Sequence, residues 1–285
     1  MDILLATSLD DPQPAGWAAR WLTERFGASL ELLHVTHPDR PLPASGTDTV
    51  PATRGIRRQL EEVGEAMGAD ASLLDTSDDP AKALLETVSA IEPALVVVGS
   101  EQRTGLPRVL GPESVAERVA LEAERPVLVV PHECDATTLH EGLTVLTAVD
   151  LGPQALRVLH TGAAWARLLR GRLVAYHAHG IPPMSVDIAH QAHATAALEK
   201  SEAAERWLRD ACGDLTFGWF RPEYLHDVAT EPARGAIDQA ATQGAGLLVV
   251  GGRPPGRWSK LWGTTTRHVV RHASIPILVV PLAGD

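Results

Sequence analysis

Short apolar runs alternate along this chain with amphipathic stretches of helical period. In the first half the apolar runs predict strands at Ile3–Thr7, Leu30–Val35, Ala71–Leu74, Leu95–Val98 and Val127–Val130. The first predicted helix runs through Trp17, Trp21 and Leu22 and ends at Gly27, and it is followed by predicted helices at Ile56–Met67, Pro80–Ile91 and Ser114–Glu122. The segment Pro38–Thr53 is interpreted as a loop. Strands separated by helices predict parallel crossovers, with helices on both faces of a sheet.

The second half has the same order of apolar and helical segments. Its predicted strands are Thr144–Val149, Leu173–His177, Phe217–Phe220, Leu247–Val250 and Ile277–Val280. Its predicted helices are Ala155–Leu169, about Ile188 to Ala211, Pro232–Ala241 and Thr264–His272. The repetition predicts a tandem duplication, with domains at residues 1–133 and 140–285 joined by the linker Cys134–Gly142, which has no periodicity.

Composition is typical of a globular protein, since 45% of the 285 residues are hydrophobic and 21% are charged. No apolar run approaches the roughly 20 residues that a bilayer requires, and the N-terminus lacks the basic start of a signal peptide. We therefore expect a cytoplasmic protein without membrane contact. Cys134 and Cys212 lie in different halves without metal-type spacing, which favours two free thiols.

Charge is distributed unevenly between the halves. Residues 1–138 contain 23 Asp and Glu against 11 Lys and Arg, a net of −12, whereas residues 139–285 contain 13 against 14, a net of +1. Nucleic-acid binding requires a basic face for phosphate contacts, so we expect no nucleic-acid partner for a chain of net charge −11.

Several short motifs occur in both halves in the same order. A first strand ends at an aspartate in Val145–Asp150, and a second strand ends in a histidine in Leu32–Val35 and again in Ala175–Ala178. They are accompanied by Val-Val-Gly strand ends, by Ser114–Val119, and by a final strand flanked by prolines, Pro126–Pro131. Together these residues resemble the universal stress protein family over nearly all of both halves.

The resemblance implies an α/β fold. Each half would be a Rossmann-like domain of the adenine nucleotide alpha hydrolase type, with a five-stranded parallel sheet of order 3-2-1-4-5 and helices on both faces. It also implies that some members bind ATP and that many are dimers through the last strand. A tandem member is expected to pair its own halves as an internal pseudo-dimer, with a homodimer of two chains as a further expectation.

In the ATP-binding members the loop after the fourth strand has the pattern Gly, two residues, Gly, nine residues, Gly-Ser or Gly-Thr, and neither half matches it in full. The first half retains Gly99 but has Gln102 and Glu113 at the second and third glycine positions. A carboxylate at a helix start repels a phosphate, so the first half is predicted to be closed to ATP. Ser8 aligns with the first-strand aspartate, with Asp10 as a slipped alternative.

The second half retains more of the pattern. Asp150, Gly251 and the Gly263-Thr264 pair are present, although Pro254 replaces the second glycine and the spacing is one residue shorter. By analogy with the family, Asp150 would face the ribose or adenine, and the phosphates would be bound by Gly251, Gly252, Gly263, Thr264 and Thr265. Residues 239–284 contain no acidic residue but include several cations, namely Arg253, Arg257, Lys260, Arg267 and Arg271.

An adenine nucleotide or another anion therefore fits the second half, but a second interpretation stays open. The basic loop is also compatible with a solvated surface or with pairing to the acidic first half. In that interpretation Trp258 and Trp262 fill the former site or pack at an interface. Pairs of histidines suggest a metal, but no third ligand completes them, so no metal site is predicted; the pairs are His177 and His179, His190 and His193, and His268 and His272.

Catalytic signatures such as a Gly-x-Ser-x-Gly elbow or a phosphate loop ending in Gly-Lys-Ser/Thr do not occur in the sequence, and no catalytic residue is predicted. The sequence thus favours a non-enzymatic tandem universal stress protein that responds to stress or senses a ligand. Two alternatives stay open. One is a slow ATP hydrolase that uses the second-half loop, and the other is an interaction module in which both sites are lost.

Overall fold

A computed structural model of the protein describes residues 2–7, 13–36, 49–76, 79–100, 114–180, 190–229, 231–252 and 264–282. The chain divides into two compact units, Met1–Thr137 and Thr138–Asp285. The boundary between them falls inside the segment that the sequence identified as a linker.

The first unit is an α/β domain with a parallel sheet. Its elements are β1 (Asp2–Ala6), α1 (Gln13–Phe26), β2 (Ser29–Thr36), α2 (Thr49–Met67), β3 (Ala71–Thr76), α3 (Pro80–Ile91), β4 (Leu95–Ser100), α4 (Val115–Glu122) and β5 (Val127–Pro131). The strands lie in the order β3-β2-β1-β4-β5, and the pairs are parallel.

The second unit repeats this arrangement. Its elements are β6 (Thr144–Ala148), α5 (Ala155–Leu168), β7 (Arg172–Gly180), α6 (His190–Asp214), β8 (Glu223–Ala229), α7 (Pro232–Thr242), β9 (Ala245–Gly252), α8 (Thr264–His272) and β10 (Ile277–Pro281). The order β8-β7-β6-β9-β10 corresponds to 3-2-1-4-5, and these pairs too are parallel. The predicted α/β fold with two Rossmann-like units is therefore confirmed.

The central strands are apolar because helices cover both of their faces. In β4, Val96 and Val97 have no exposed surface, and the same is true of Leu248 and Val249 in β9. Local signals set the helix ends. Pro80 opens α3, where its missing N–H costs nothing, and Gly27 follows α1 with a φ of 59°.

One predicted strand is wrong. Phe217–Phe220 is a tight turn whose end residues exchange backbone hydrogen bonds of 3.1 and 3.0 Å, and the third strand of the unit is β8, further along the chain. Gly218 has a φ of 59°, a left-handed conformation that glycine adopts without strain and that breaks a strand. The aromatic residues of this turn favour strands in general, which explains the error.

The helix α2 also begins earlier than predicted, at Thr49 instead of at Ile56. Pro51 suggested a loop, but the first-turn N–H groups of a helix have no partner within the helix, so a proline there is tolerated. Cys134 and Cys212 are both buried and neither is part of a disulfide. Within the described residues, no helix combines the length and the apolar character needed to cross a membrane.

Candidate functional site

The order of the strands locates the candidate site in the second unit. β6 lies between β7 and β9, so the connections that leave β6 and β9 run to opposite sides of the sheet. Thr147 in β6 is paired with Val249 in β9, and Asp150 and Gly251 therefore lie at the same edge of the sheet. Ligands of open α/β sheets bind in the crevice where such loops diverge.

Asp150 is exposed at this edge and is held by a local turn. Its Oδ1 accepts a hydrogen bond of 2.9 Å from the N–H of Gly152, and Leu151 between them has a φ of 58°. One carboxylate oxygen is thus used by the backbone, while the side chain stays in contact with solvent. The structure places the predicted aspartate at the expected edge with a fixed orientation.

The histidine at the end of β7 anchors the chain just before Asp150. His177 is buried, and its Nδ1 lies 2.8 Å from the carbonyl oxygen of Val149, which can only accept, so Nδ1 donates. The N–H of Val149 donates to the backbone carbonyl of Tyr176 over 2.9 Å. Burial lowers the pKa of His177, which keeps the ring neutral. We conclude that this histidine positions the aspartate loop.

The two glycines at the end of β9 lie where the sequence predicted them, but packing explains one of them. A Cβ added to Gly251 would lie 2.7 Å from Cδ1 of Leu282 and 3.1 Å from Cγ2 of Val158. Gly252 is buried, and its carbonyl accepts a hydrogen bond of 2.8 Å from the N–H of Leu282. Packing against Leu282 and Val158 therefore favours a glycine at position 251 whether or not a ligand binds.

A threonine that sequence reasoning missed connects the two parts of the site. The hydroxyl of Thr266, in the first turn of α8, donates a hydrogen bond of 2.6 Å to the carbonyl of Gly251. Thr266 is 6% exposed, whereas Thr265 beside it is exposed and Thr264 opens the helix. The run of three threonines in the sequence could have indicated this contact, since the helical period turns consecutive side chains towards different sides of the helix, including the side that packs on the sheet.

The described part of α8 is strongly basic. Arg267 and Arg271 are partly exposed, and no acidic residue occurs in the helix. His268 and His272 lie one turn apart, with ring centroids separated by 4.3 Å. The N-terminus of this helix carries the positive end of the helix dipole, with Arg267 directly after the three threonines, whereas Arg271 and His272 lie in the last turn. Other predicted features, Gly263, Pro254 and the Trp258–Trp262 segment, lie outside the described residues.

The corresponding helix of the first unit is chemically different. Glu117 is buried in α4, and Arg118 makes two hydrogen bonds of 2.7 and 2.9 Å to the carboxylate of Asp79. Arg118 also lies 3.7 Å from Glu122. The cation at this helix is therefore neutralised by carboxylates of its own unit.

The first unit also shows which residue corresponds to Asp150. The N–H of Thr7 donates to the backbone carbonyl of Leu33 over 3.0 Å, and Nδ1 of His34 lies 2.7 Å from the carbonyl of Thr7. Val149 makes the same two contacts in the second unit, with Tyr176 and His177. Thr7 thus matches Val149, and the next residue in the chain, Ser8, matches the aspartate position. The remaining first-half positions considered from the sequence lie outside the described residues: Ser8 itself, Asp10, Gln102 and Glu113.

The histidine pairs do not form a metal centre in the described parts of the chain, where no group of three or more His, Cys, Asp or Glu side chains could hold an ion. The rings of His177 and His179 are 6.4 Å apart, and Nδ1 of the former is used by the backbone. The side chains of His190 and His193 lie outside the description.

Comparison with known proteins agrees with this architecture. A universal stress protein from Archaeoglobus fulgidus DSM 4304 has 18% sequence identity and a TM-score of 0.65, covering 98% of this chain and 96% of its own. A candidate universal stress protein from Pseudomonas aeruginosa UCBPP-PA14 has 20% identity and a TM-score of 0.64, covering 98% and 92%. At these identities the likeness concerns the fold. A search of curated proteins found no match.

A shorter universal stress protein from Archaeoglobus fulgidus, solved in complex with dAMP, has 19% identity and a TM-score of 0.34, covering 46% of this chain and 97% of its own. Its nucleotide is a property of that protein. The family model described as the universal stress protein family matches residues 1–131 and again residues 143–281. Two matches that together span nearly the whole chain identify this protein as a tandem member of the universal stress protein family.

Proposed function

We propose that the second unit binds an adenine nucleotide and that the protein acts as a non-enzymatic ligand sensor. The observation that carries this proposal is the geometry at the switch point of the sheet. Asp150 and Gly251 lie at the same edge, and Thr266 ties the start of α8, a helix without acidic residues, to the carbonyl of Gly251. Family membership supports the choice of an adenine nucleotide over other anions.

In this proposal the phosphates lie at the N-terminus of α8. The backbone N–H groups of a helix start and the positive end of the helix dipole favour a polyanion there. Asp150 binds the ribose or adenine side, and the predicted phosphate contacts are Gly251, Gly252, Gly263, Thr264 and Thr265. Thr266 contributes indirectly, because its bond to Gly251 fixes the helix start relative to the strand end.

The experiment is isothermal titration of the purified chain with ATP, together with mass spectrometry of any nucleotide that copurifies. We expect one site per chain. Asp150→Asn should weaken ATP binding about tenfold, the effect of losing one hydrogen bond to a charged group. Asp135→Asn is the matched control, because Asp135 is also exposed and also accepts from a backbone N–H two residues on, over 2.8 Å.

Several results would contradict the proposal. One is the absence of both binding heat and a copurifying nucleotide. Another is equal weakening by the Asp150 and Asp135 substitutions, which would show a nonspecific charge effect. Binding accompanied by steady release of phosphate from ATP would favour the slow hydrolase over the sensor.

We further propose that the two units associate as an internal pseudo-dimer and that two chains form a homodimer. The support is the family resemblance together with the uneven charge of the halves, of which the first is strongly acidic and the second almost neutral. Sedimentation velocity should give the mass of two chains, or about 61 kDa from 30.4 kDa each. A monomer at all concentrations up to about 100 µM would contradict the homodimer.

A further inference from the structure

A second recess lies in the same unit at the opposite edge of the sheet. It has a volume of about 280 Å³ and is formed at the amino ends of β7 and β8. The residues that line it include Arg170, Gly171, Arg172, Trp219, Phe220 and Arg221. In a parallel sheet the amino ends of the strands lie opposite the carboxyl ends, so this recess is separate from the candidate nucleotide site.

The aromatic turn that forms one wall is held firmly. Arg167 donates a hydrogen bond of 2.6 Å from Nη2 to the carbonyl of Leu215, and its guanidinium carbon lies 4.5 Å from the ring centroid of Phe220. Phe220 is only 3% exposed. The cation–π contact and the hydrogen bond together fix the turn against α5.

Trp219 is oriented by this buried neighbour and yet remains open to solvent. Its ring meets the ring of Phe220 edge to face, with centroids 5.7 Å apart and planes at 88°. It is nevertheless 66% exposed. A large aromatic side chain held in place and exposed beside a recess provides a surface on which a planar group can stack.

The arginines of the recess differ in their partners. Arg172 forms a bidentate pair with Glu223, at 3.0 and 2.9 Å, and is thereby neutralised. The guanidinium groups of Arg170 and Arg221 make no hydrogen bond or ion pair with any described residue. Two arginines that have no carboxylate partner in the described part of the chain therefore line the same recess as Trp219.

The backbone beside these arginines is closely packed. Arg170 has a φ of 50°, and a Cβ added to the next residue, Gly171, would lie 1.9 Å from the carbonyl oxygen of Leu143. The backbone therefore approaches closely at this point, and the position of Arg170 is set by a conformation that non-glycine residues seldom adopt.

We propose that this recess binds a compact anion that carries a single planar ring, either an aryl phosphate or an aromatic carboxylate. Arg170 and Arg221 bind the anionic group, since the guanidinium fork matches both phosphate and carboxylate oxygens. The ring stacks on Trp219. A volume of 280 Å³ is at the lower end of ligand pockets, which fits one ring with its acidic group.

The experiment is isothermal titration of the full chain with phenyl phosphate and with benzoate, which distinguishes the two acid groups. Inorganic phosphate and phenol, which carry only half of the recognised features, serve as comparison probes. We expect binding of at least one of the two complete probes and about tenfold weaker binding of the partial ones.

Substitutions then assign the site. Arg170→Gln and Arg221→Gln should each weaken the bound probe about tenfold, and Trp219→Ala should weaken it several-fold while leaving inorganic phosphate unaffected. Arg57→Gln in the first unit is the matched control, because Arg57 is exposed and should leave binding unchanged. All four positions are exposed, and far-ultraviolet circular dichroism verifies that each variant is folded.

The proposal is overturned if neither phenyl phosphate nor benzoate binds. It is also overturned if the arginine substitutions have no more effect than Arg57→Gln, or if Asp150→Asn weakens the probe while they do not, which would assign binding to the other edge of the sheet. Retention of ATP binding by the Arg170 and Arg221 variants is expected, so the two sites can fail separately.

Discussion

The starts of α4 and α8 occupy the same place in two copies of one fold, yet their polar contacts differ. The N–H of Ala123 donates to Val119 over 3.0 Å, and the N–H of Ala273 donates to Val269 over 2.9 Å, which aligns the two helices. By this alignment His268 replaces Arg118. In the first unit α4 packs against α3, which starts after Asp79, and in the second unit α8 packs against α7, which starts after Glu231.

One carboxylate in the first unit serves two elements at once. Asp79 accepts a hydrogen bond of 3.2 Å from the N–H of Lys82 as the N-cap of α3, and it binds Arg118 of α4. These contacts lower the pKa of Asp79, the bond from Arg118 most of all. In the second unit, Glu231 makes no capping hydrogen bond to α7. The comparison indicates that the first copy uses one carboxylate both as a helix cap and in an ion pair, an arrangement that Glu231 does not repeat in the second copy.

The largest expected effect concerns the glycine that ends the fourth strand of each unit. Gly251→Ala should lower the free energy of unfolding by about 1–3 kcal/mol, because the new methyl group overlaps Leu282 and Val158. Gly99→Ala should be close to neutral, since its Cβ would lie 3.6 Å from Cβ of Ala15, an ordinary contact. Urea unfolding followed by circular dichroism measures both.

If the two glycine variants were equally stable, the tight packing at Gly251 would not be the reason for a glycine there. A ligand requirement would then become the better explanation. Loss of ATP binding in Gly251→Ala without loss of stability would give the same answer.

The next effect concerns the helix caps. Asp79→Ala should lower the stability of the first unit by about 1–2 kcal/mol, since it removes both a cap and a partly exposed ion pair. Glu231→Ala is the matched change in the second unit and should have almost no effect. Hydrogen exchange at the amides of α3 and α7 resolves the two units, and equal effects at both caps would contradict the comparison.

Much of this fold could be predicted from apolar periodicity, because buried parallel strands such as β4 and β9 consist of continuous Leu and Val runs. The strand β8 was missed because its polar and apolar residues alternate, while the nearby turn with Phe217 and Trp219 has the residues of a strand. Pattern alone does not reveal that Gly218 adopts a left-handed conformation and reverses the chain there.

The candidate site was less accessible to sequence reasoning. Asp150 and Gly251 could be identified by analogy, but their local roles could not. The Thr266 bond and the tight packing at Gly251 depend on distances between residues that are remote in the chain. The charge surplus of the second half was visible in the sequence, whereas the neutralisation of Arg118 by Asp79 was not.

A smaller effect tests the threonine that joins α8 to β9. Thr266→Val should cost about 1 kcal/mol, because the carbonyl of Gly251 loses a hydrogen bond of 2.6 Å while the side-chain volume is kept. Thr265→Val, on the exposed side of the same turn, is the control and should be within about 0.5 kcal/mol of the parent. Thermal unfolding of the two variants under the same conditions makes the comparison, and equal melting temperatures would rule out a structural role for the Thr266 hydroxyl.

The smallest effect is a pH dependence that originates at the histidine anchor of the second unit. Burial is the main cause that lowers the pKa of His177 in the folded protein, and the nearby His179 and His226 lower it further. The hydrogen bond to Val149 and the charge of Asp150 act in the opposite direction and raise this pKa. The unfolded chain therefore takes up the proton first, so stability is fully present above about pH 6.5 and decreases as the pH falls towards the lowered pKa.

His177→Gln removes this proton uptake, and the difference in unfolding free energy between pH 7.5 and pH 5.5 should become smaller than in the parent. His34→Gln, which loses the corresponding bond to Thr7, measures the cost of the hydrogen bond alone at pH 7.5. An unchanged pH dependence in His177→Gln would show that the ring is not held neutral by its burial.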